Sequence, residues 1–180
     1  MSRTKKLTVS ASLVALGVLF MTLGAVFSVL DLTTAVLASL LVAFAYLELG
    51  SPYTWLVWLS TALLSFIFFP GSFMWLTYLL VYGVYPILKG YIERLPRPLW
   101  IVIKLVFVNI AMAVMLLFSE ALVGQSFFGD TSDIPFDPRM IYAVMWAMLN
   151  AAFLLYDRLI VVMVVWYNQR LRPRISNLLK

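Results

Sequence analysis

The chain contains no cysteine and no histidine, and only 12% of its residues are charged. Without these residue types there are no disulfides, no thiolate or imidazole metal ligands, and no catalytic triad built on His or Cys. The sequence also lacks a Walker-type glycine loop and the G-x-S-x-G and H-E-x-x-H motifs. We therefore predict that the chain is not an enzyme, and we expect no cofactor and no metal site.

Apolar residues, in contrast, make up 64% of the sequence, and the mean hydropathy is +1.00. Such a chain has too little polar surface to cover a soluble globule, which indicates a protein of the lipid bilayer. The net charge of +5 comes from basic residues near the two ends and in one short loop. Anionic lipid is the expected neighbour of such residues, and we predict no nucleic-acid partner.

The predicted fold is all-α: a single polytopic domain forming a compact bundle of six transmembrane helices. The helices are expected over about 7–30, 34–50, 54–69, 72–90, 99–119 and 140–167, with an outer loop over 120–138 and a basic tail over 168–180. The second and third segments are short for about 30 Å of hydrocarbon. Either they cross a locally thinned bilayer, or 54–69 and 72–90 form a re-entrant pair.

The first segment begins with basic residues, as a signal peptide does. Its apolar run continues from Leu7 to Leu30, which is longer than the apolar region of a typical signal peptide. A retained helix is therefore predicted, and cleavage near the stretch AVFS at 25–28 is the alternative.

Charge is divided unequally between the two sides that six crossings define. With a cytoplasmic N-terminus, one side carries Arg3, Lys5, Lys6, Lys89, Arg94, Arg97, Arg170, Arg172, Arg174 and Lys180. The opposite side carries Asp31, Glu120, Asp130, Asp133, Asp137 and a single basic residue, Arg139. This asymmetry follows the positive-inside rule and predicts a multi-pass protein of the plasma membrane with both termini in the cytoplasm.

The loop over 120–138 is the longest polar segment between the apolar runs. Loops of this length often act as lids or binding elements, and an acidic connector is the simpler interpretation. Asp130, Asp133 and Asp137 lack the ligand spacing, glycine and terminal glutamate of an EF-hand loop, so no calcium site is predicted.

Small residues recur at helical spacing in the first two segments. They are Ala11, Ala15, Gly17 and Gly24 in the first and Ala35, Ser39 and Ala43 in the second. Stripes of this kind let helix backbones approach closely within lipid. Packing inside the bundle is the simpler interpretation, and docking to a separate subunit is the alternative.

Few charged side chains fall inside the apolar segments, where each costs several kcal/mol unless it has a partner or reaches the interface. Lys104 lies near the start of its segment, so its amine can extend to the interface. Interhelical ion pairs are the other solution, either Asp157 with Lys104 or Glu48 with Arg158. Such pairs would hold helices together rather than form a binding site.

Two asparagines lie deeper in the last two segments. Asn109 and Asn150 occupy comparable depths on antiparallel neighbours, so a direct amide contact between them is the simpler expectation. The functional alternative makes them polar groups of an otherwise apolar ligand cavity. Trp75, Tyr78 and Trp146 lie in the outer half of the bundle and complete the predicted ligand-binding set.

The architecture is similar to that of a known family. Six apolar segments in 180 residues, a basic N-terminus, the pair Ala11-x-x-x-Ala15 and an outer loop before the last helix resemble the substrate-binding components of energy-coupling factor vitamin transporters. The stretch YGVYPILKGYIER at 82–94 also resembles uncharacterised bacterial membrane proteins of similar size.

The resemblance implies a small-molecule pocket that opens outward beneath the outer loops. It also implies that Ala11 and Ala15 dock on a transmembrane coupling subunit driven by cytoplasmic ATPases. A second alanine pair expected in the third helix is replaced by Thr61 and Ser65.

We predict a membrane-embedded substrate-binding subunit for uptake of a small, partly apolar nutrient, acting with separate energising subunits. The alternative is a non-catalytic scaffold or interaction protein of the bacterial cell envelope. The two differ in one structural requirement, because a binding subunit needs a cavity between its helices whereas a scaffold can be packed solid.

Overall fold

The computed structural model describes residues 2–27, 30–118 and 137–174, and this part of the chain is helical without any strand. The predicted all-α class is therefore confirmed for it. The α-helices are α1 Arg3–Val26, α2 Asp31–Glu48, α3 Ser51–Phe68, α4 Met74–Thr77, α5 Tyr85–Ile92, α6 Arg97–Phe118 and α7 Pro138–Trp166. Most of the predicted outer loop, including Glu120, Asp130 and Asp133, lies outside the described residues, as do residues 175–180 of the tail.

Five of the described helical segments are long and apolar enough to cross a membrane: Arg3–Val26, Asp31–Glu48, Ser51–Phe68, Arg97–Phe118 and Arg139–Arg174. Their surfaces are covered by large apolar side chains, with Leu117 76% and Leu155 72% exposed. A protein surface of this kind indicates insertion into a bilayer. The predicted tail from residue 168 continues the last helix as a π-helical turn, Tyr167–Leu171, and then as α-helix to Arg174.

Helix α2 lies at the centre of the bundle and contacts α1, α3, α5 and α7. Its small side chains Ala35, Ser39 and Ala43 are all buried, so the interpretation of this stripe as internal packing is confirmed. The close approach of α1 to its neighbouring helices also requires its glycines. A Cβ atom at Gly17 would lie 2.9 Å from the side chain of Thr61 on α3.

The turn between α2 and α3 depends on a glycine for its backbone conformation. Gly50 has a φ of +88°, which side chains with a Cβ rarely adopt. Pro52 follows at the start of α3, where its missing N–H group is tolerated. The chain therefore reverses in very few residues, and α2 and α3 pack side by side.

The fourth predicted segment, 72–90, is not a continuous α-helix. The short α4 passes into a π-helical turn over Tyr78–Tyr82, and α5 begins only at Tyr85. The N–H group of Gly83 donates to the carbonyl of Tyr78 at 2.7 Å, the longer spacing of a π turn. As a straight helix, the segment from Met74 to Ile92 would be about 27 Å long.

Pro86 explains part of this break. It has no N–H group to donate to the carbonyl of Tyr82 one turn earlier. The hydroxyl of Tyr156 on α7 donates to that carbonyl at 2.8 Å, and the two tyrosine rings meet edge to face at 4.9 Å. A side chain of α7 thus replaces a backbone hydrogen bond that the proline removes, as lipid-embedded helices require.

The described ends of the chain lie at one end of the bundle. The ammonium of Lys6 donates to the carbonyl of Leu49 at 3.1 Å, and Arg172 forms an ion pair with Glu48 at 2.9 Å. These contacts bring the start of α1, the end of α2 and the end of the last helix together. We call this the basic end.

Substituting Tyr156→Phe should lower the free energy of unfolding by about 1–2 kcal/mol, because the buried carbonyl of Tyr82 loses its donor. The measurement is equilibrium unfolding in mixed micelles. Tyr53→Phe is the control, since the half-buried Tyr53 on α3 contacts Lys6 through its ring, 5.5 Å from the ammonium. Equal losses in the two variants would contradict this account.

Candidate functional site: a buried ion cluster between two cavities

The carboxylate of Asp157 on α7 is the centre of a buried polar cluster. The ammonium of Lys104 on α6 contacts its two oxygens at 2.9 and 2.8 Å, and the hydroxyl of Tyr85 donates to it at 2.5 Å. Lys89 on α5 also donates to this carboxylate. Asp157, Lys104 and Lys89 are all less than 9% exposed.

Glu93 completes the charge balance of the cluster. Glu93 directly follows α5, and its carboxylate lies 2.8 Å from the ammonium of Lys89 and 4.0 Å from that of Lys104. Two lysines are therefore matched by two carboxylates. The three buried charges of Asp157, Lys89 and Lys104 are tolerated in an apolar environment because each has a partner at close range, whereas Glu93 is exposed.

Aromatic rings surround the cluster. Tyr85 packs edge to face on Phe153 at 4.7 Å and stacks on Phe107 at 5.9 Å. Lys89 lies 5.8 Å from the centre of the Tyr85 ring, and Lys104 lies 5.8 Å from that of Trp100. These rings cover part of the cluster, and α5, α6 and α7 are held together through Asp157.

Some of the predicted pairings are present and others are not. The pair Asp157 with Lys104 is confirmed, so the lysine amine does not extend to the interface. The alternative pair of Glu48 with Arg158 is wrong, since Glu48 pairs with Arg172. The role of Lys89 was missed, because its place near the end of an apolar segment is typical of an interfacial lysine.

The asparagine contact predicted between the last two long helices is also present. The side-chain amide of Asn109 on α6 donates to the carbonyl oxygen of Asn150 on α7 at 3.0 Å. The indole N–H of Trp146 donates to the side-chain oxygen of Asn109 at 2.6 Å. The three side chains thus form hydrogen bonds with one another between α6 and α7. We call this group the polar clip.

The other two predicted ligand-binding residues are buried elsewhere in the bundle. Trp75 on α4 is 8% exposed, packs on Phe66 at 4.7 Å and donates its indole N–H to the carbonyl of Pro70 at 3.1 Å. Tyr78 is completely buried. The structure thus does not bring the five residues into one cavity, and a role for them in ligand binding stays a prediction.

A pocket of about 350 Å³ lies beside the polar clip, away from the basic end, and it is open at the surface, where its lining residue Met148 is 66% exposed. Its walls come from the broken fourth segment, α6 and α7. Methionines are prominent among its lining residues, with Met112 and Met115 on α6 and Met145 and Met148 on α7. We call it the methionine pocket.

A second cavity, an open cleft of about 1020 Å³, lies between α2, α5, α6 and α7. The ion cluster forms part of its wall, since Lys89, Glu93, Lys104 and Asp157 all line it. The cluster therefore separates the interior of the bundle from a space that opens towards lipid or water. We call this space the basic cleft.

The predicted docking residues lie on the surface of the bundle. Ala11 and Ala15 are exposed on α1, next to Leu16 and Leu19, which are 47% and 51% exposed. Internal packing is thus wrong for this pair, whereas Gly17 and Gly24 of the same helix are buried. Thr61 and Ser65 on α3 are buried as well.

In the described part of the chain, no three His, Cys, Asp or Glu side chains lie close enough together to hold a metal ion. The side chain of Asp137, one of the three loop aspartates, accepts a hydrogen bond from the N–H group of Arg139 at 2.9 Å and begins α7. Its role there is that of a helix cap.

Comparison with known protein families, curated protein sequences and solved structures finds no match to this chain. The resemblance to the transporter components stays a prediction.

Substituting Asp157→Asn should lower the free energy of unfolding by about 3 kcal/mol or more, because Lys104 loses its main counter-charge while buried. Adding Lys104→Met should restore part of the loss. Glu48→Gln is the matched control, since it leaves Arg172, whose side chain is 53% exposed, able to reach water. That control should cost below about 1 kcal/mol. Unfolding in mixed micelles measures all three, and equal losses for Asp157→Asn and Glu48→Gln would refute the central role of Asp157.

Proposed function

We propose that the protein is a membrane-embedded binding subunit for a small, largely apolar nutrient, acting with separate energising subunits in the plasma membrane. The observation that supports this proposal is the methionine pocket. Its volume of about 350 Å³ is within the range of small-molecule sites. A scaffold that only presents faces to partners has no need of such a cavity.

The lining of the pocket suggests the chemistry of its ligand. Four methionines offer flexible, polarisable surfaces that adapt to planar or branched apolar groups. Val81, Tyr82 and Phe153 add further apolar surface. The proposed ligand is therefore apolar over most of its surface, and the pocket, not the set of Trp75 and Tyr78, is the proposed site.

The broken fourth segment forms one wall of the pocket. Tyr82 and Val81 belong to the π-helical turn, and turns of this type are frequent at functional sites of membrane and soluble proteins. In the proposed arrangement the N-terminus and the basic end face the cytoplasm, and the methionine pocket faces outward. That orientation rests on the distribution of Lys and Arg.

Partner docking is proposed for the exposed face of α1. Ala11 and Ala15 allow close approach of another helix, and they are not used inside the bundle. The proposed partner is a transmembrane coupling subunit, as the resemblance to energy-coupling factor components implies.

Ligand binding can be tested with protein purified in an uncharged detergent, followed by solvent extraction and mass spectrometry. We expect wild type to release a small apolar molecule and Leu149→Trp to release little, because Leu149 is a half-buried pocket residue whose enlargement fills the space. Val162→Trp is the control, since Val162 is 64% exposed on the same helix outside both cavities. Recovery of no small molecule from wild type would favour a scaffold instead.

The docking face can be tested with the double substitution Ala11→Leu and Ala15→Leu. We expect normal folding and loss of partner association in a pull-down from native membranes, because two exposed leucines prevent close helix contact. Gly17→Leu is the comparison: its side chain meets Thr61 inside the bundle and should lower thermal stability. If the double variant still associates with its partner, α1 is not the docking face.

A further inference from the structure

The basic cleft carries more positive than negative charge. Its charged lining residues are Lys89, Glu93, Arg97, Lys104, Asp157 and Arg158. The two lysines are balanced by the two carboxylates of the ion cluster. The cleft therefore has an excess of two positive charges, which belong to its two arginines.

These two arginines differ from the lysines in their surroundings. Arg97 at the start of α6 and Arg158 on α7 are exposed, and neither forms an ion pair with a carboxylate of the described residues. The acidic groups of the cleft cannot neutralise them, because Asp157 and Glu93 already contact the lysines. Two guanidinium groups thus face the same open space without a negative partner from this part of the chain.

The rest of the cleft is apolar. Along α7 its wall extends from Ala151 to Val165, about 21 Å at the rise of an α-helix. Ile101 on α6 and Leu155 on α7 are 55% and 72% exposed, and both line the cleft. Arg158 lies midway along this wall. The stretch from Arg158 to Ala151 measures about 10 Å, which is enough for the upper part of one lipid chain.

The position of the arginines also fits a lipid headgroup. Arg97 begins α6 at the basic end, and Trp100 lies one turn further along, where its indole N–H donates to the carbonyl of Leu95 at 2.7 Å. Tryptophan at a helix end is typical of the headgroup region of a bilayer. The cleft thus begins at the level of the headgroups and continues beside apolar surface.

We propose that the basic cleft is a binding site for an anionic phospholipid, with the phosphate held by Arg97 and Arg158 and an acyl chain lying along α7. Guanidinium groups bind phosphate oxygens through paired hydrogen bonds, and basic pockets between transmembrane helices are known to bind acidic headgroups. The ion cluster forms the floor of this site. Its lysines are already neutralised, so the added anion is matched by the arginines.

The test uses full-length protein in an uncharged detergent, with phosphatidylglycerol, phosphatidylcholine and inorganic phosphate as separate probes. Binding is measured by native mass spectrometry and by the rise in unfolding temperature. We expect phosphatidylglycerol to bind and to stabilise wild type more than the other two probes do. The double substitution Arg97→Gln and Arg158→Gln should weaken its binding by about tenfold or more, as loss of charged hydrogen bonds predicts.

Arg94→Gln with Arg139→Gln is the matched control, because it removes the same charge from two exposed arginines that do not line the cleft. It should leave phosphatidylglycerol binding unchanged. A second variant, Ile101→Trp, narrows the apolar part with all charges intact and should also weaken binding. Equal binding of phosphatidylcholine, equal stabilisation by inorganic phosphate, or an equal loss in the control would each overturn the proposal, the second in favour of a soluble anion.

Discussion

The bundle depends on the neutralisation of charge inside an apolar environment. Asp157 is contacted by Lys89, Lys104 and Tyr85, which come from two other elements of the chain. Each lysine alone would be strongly unfavourable at such depth, and each finds its partner only when α5, α6 and α7 are assembled. The cluster therefore ties helix assembly to charge compensation, and it fixes the relative depth of the three helices.

Much of the fold follows from simple patterns in the sequence. Long apolar runs predict the helices, and short stretches such as Gly50-Ser51-Pro52 predict their turns correctly because turn chemistry is local. The break in the fourth segment was not predicted. Its cause is partly visible in Pro86, but the compensating hydroxyl comes from Tyr156, seventy-four residues beyond its acceptor Tyr82. Helical periodicity did not predict this hydrogen bond, because it depends on how the broken fourth segment packs against α7.

The same limit applies to the candidate sites. Spacing on antiparallel helices was enough to predict the contact of Asn109 with Asn150 and the pair of Asp157 with Lys104. Spacing could not show that the side chain of Lys89 turns inward. A lysine near a helix end can either extend its amine to the interface or pair with a carboxylate inside the bundle, and the packing of the other helices decides which occurs. Spacing also could not distinguish the exposed Ala11 from the buried Gly17, since both are small residues of one helix.

The two cavities are built on the same two elements of the chain. The segment from Val81 to Lys89 and helix α7 contribute to the methionine pocket at one level and to the basic cleft at another. Tyr156 and Asp157 fasten these two elements to each other at adjacent positions of α7. Any change in the distance between this segment and α7 would break these two hydrogen bonds and alter the walls of both compartments.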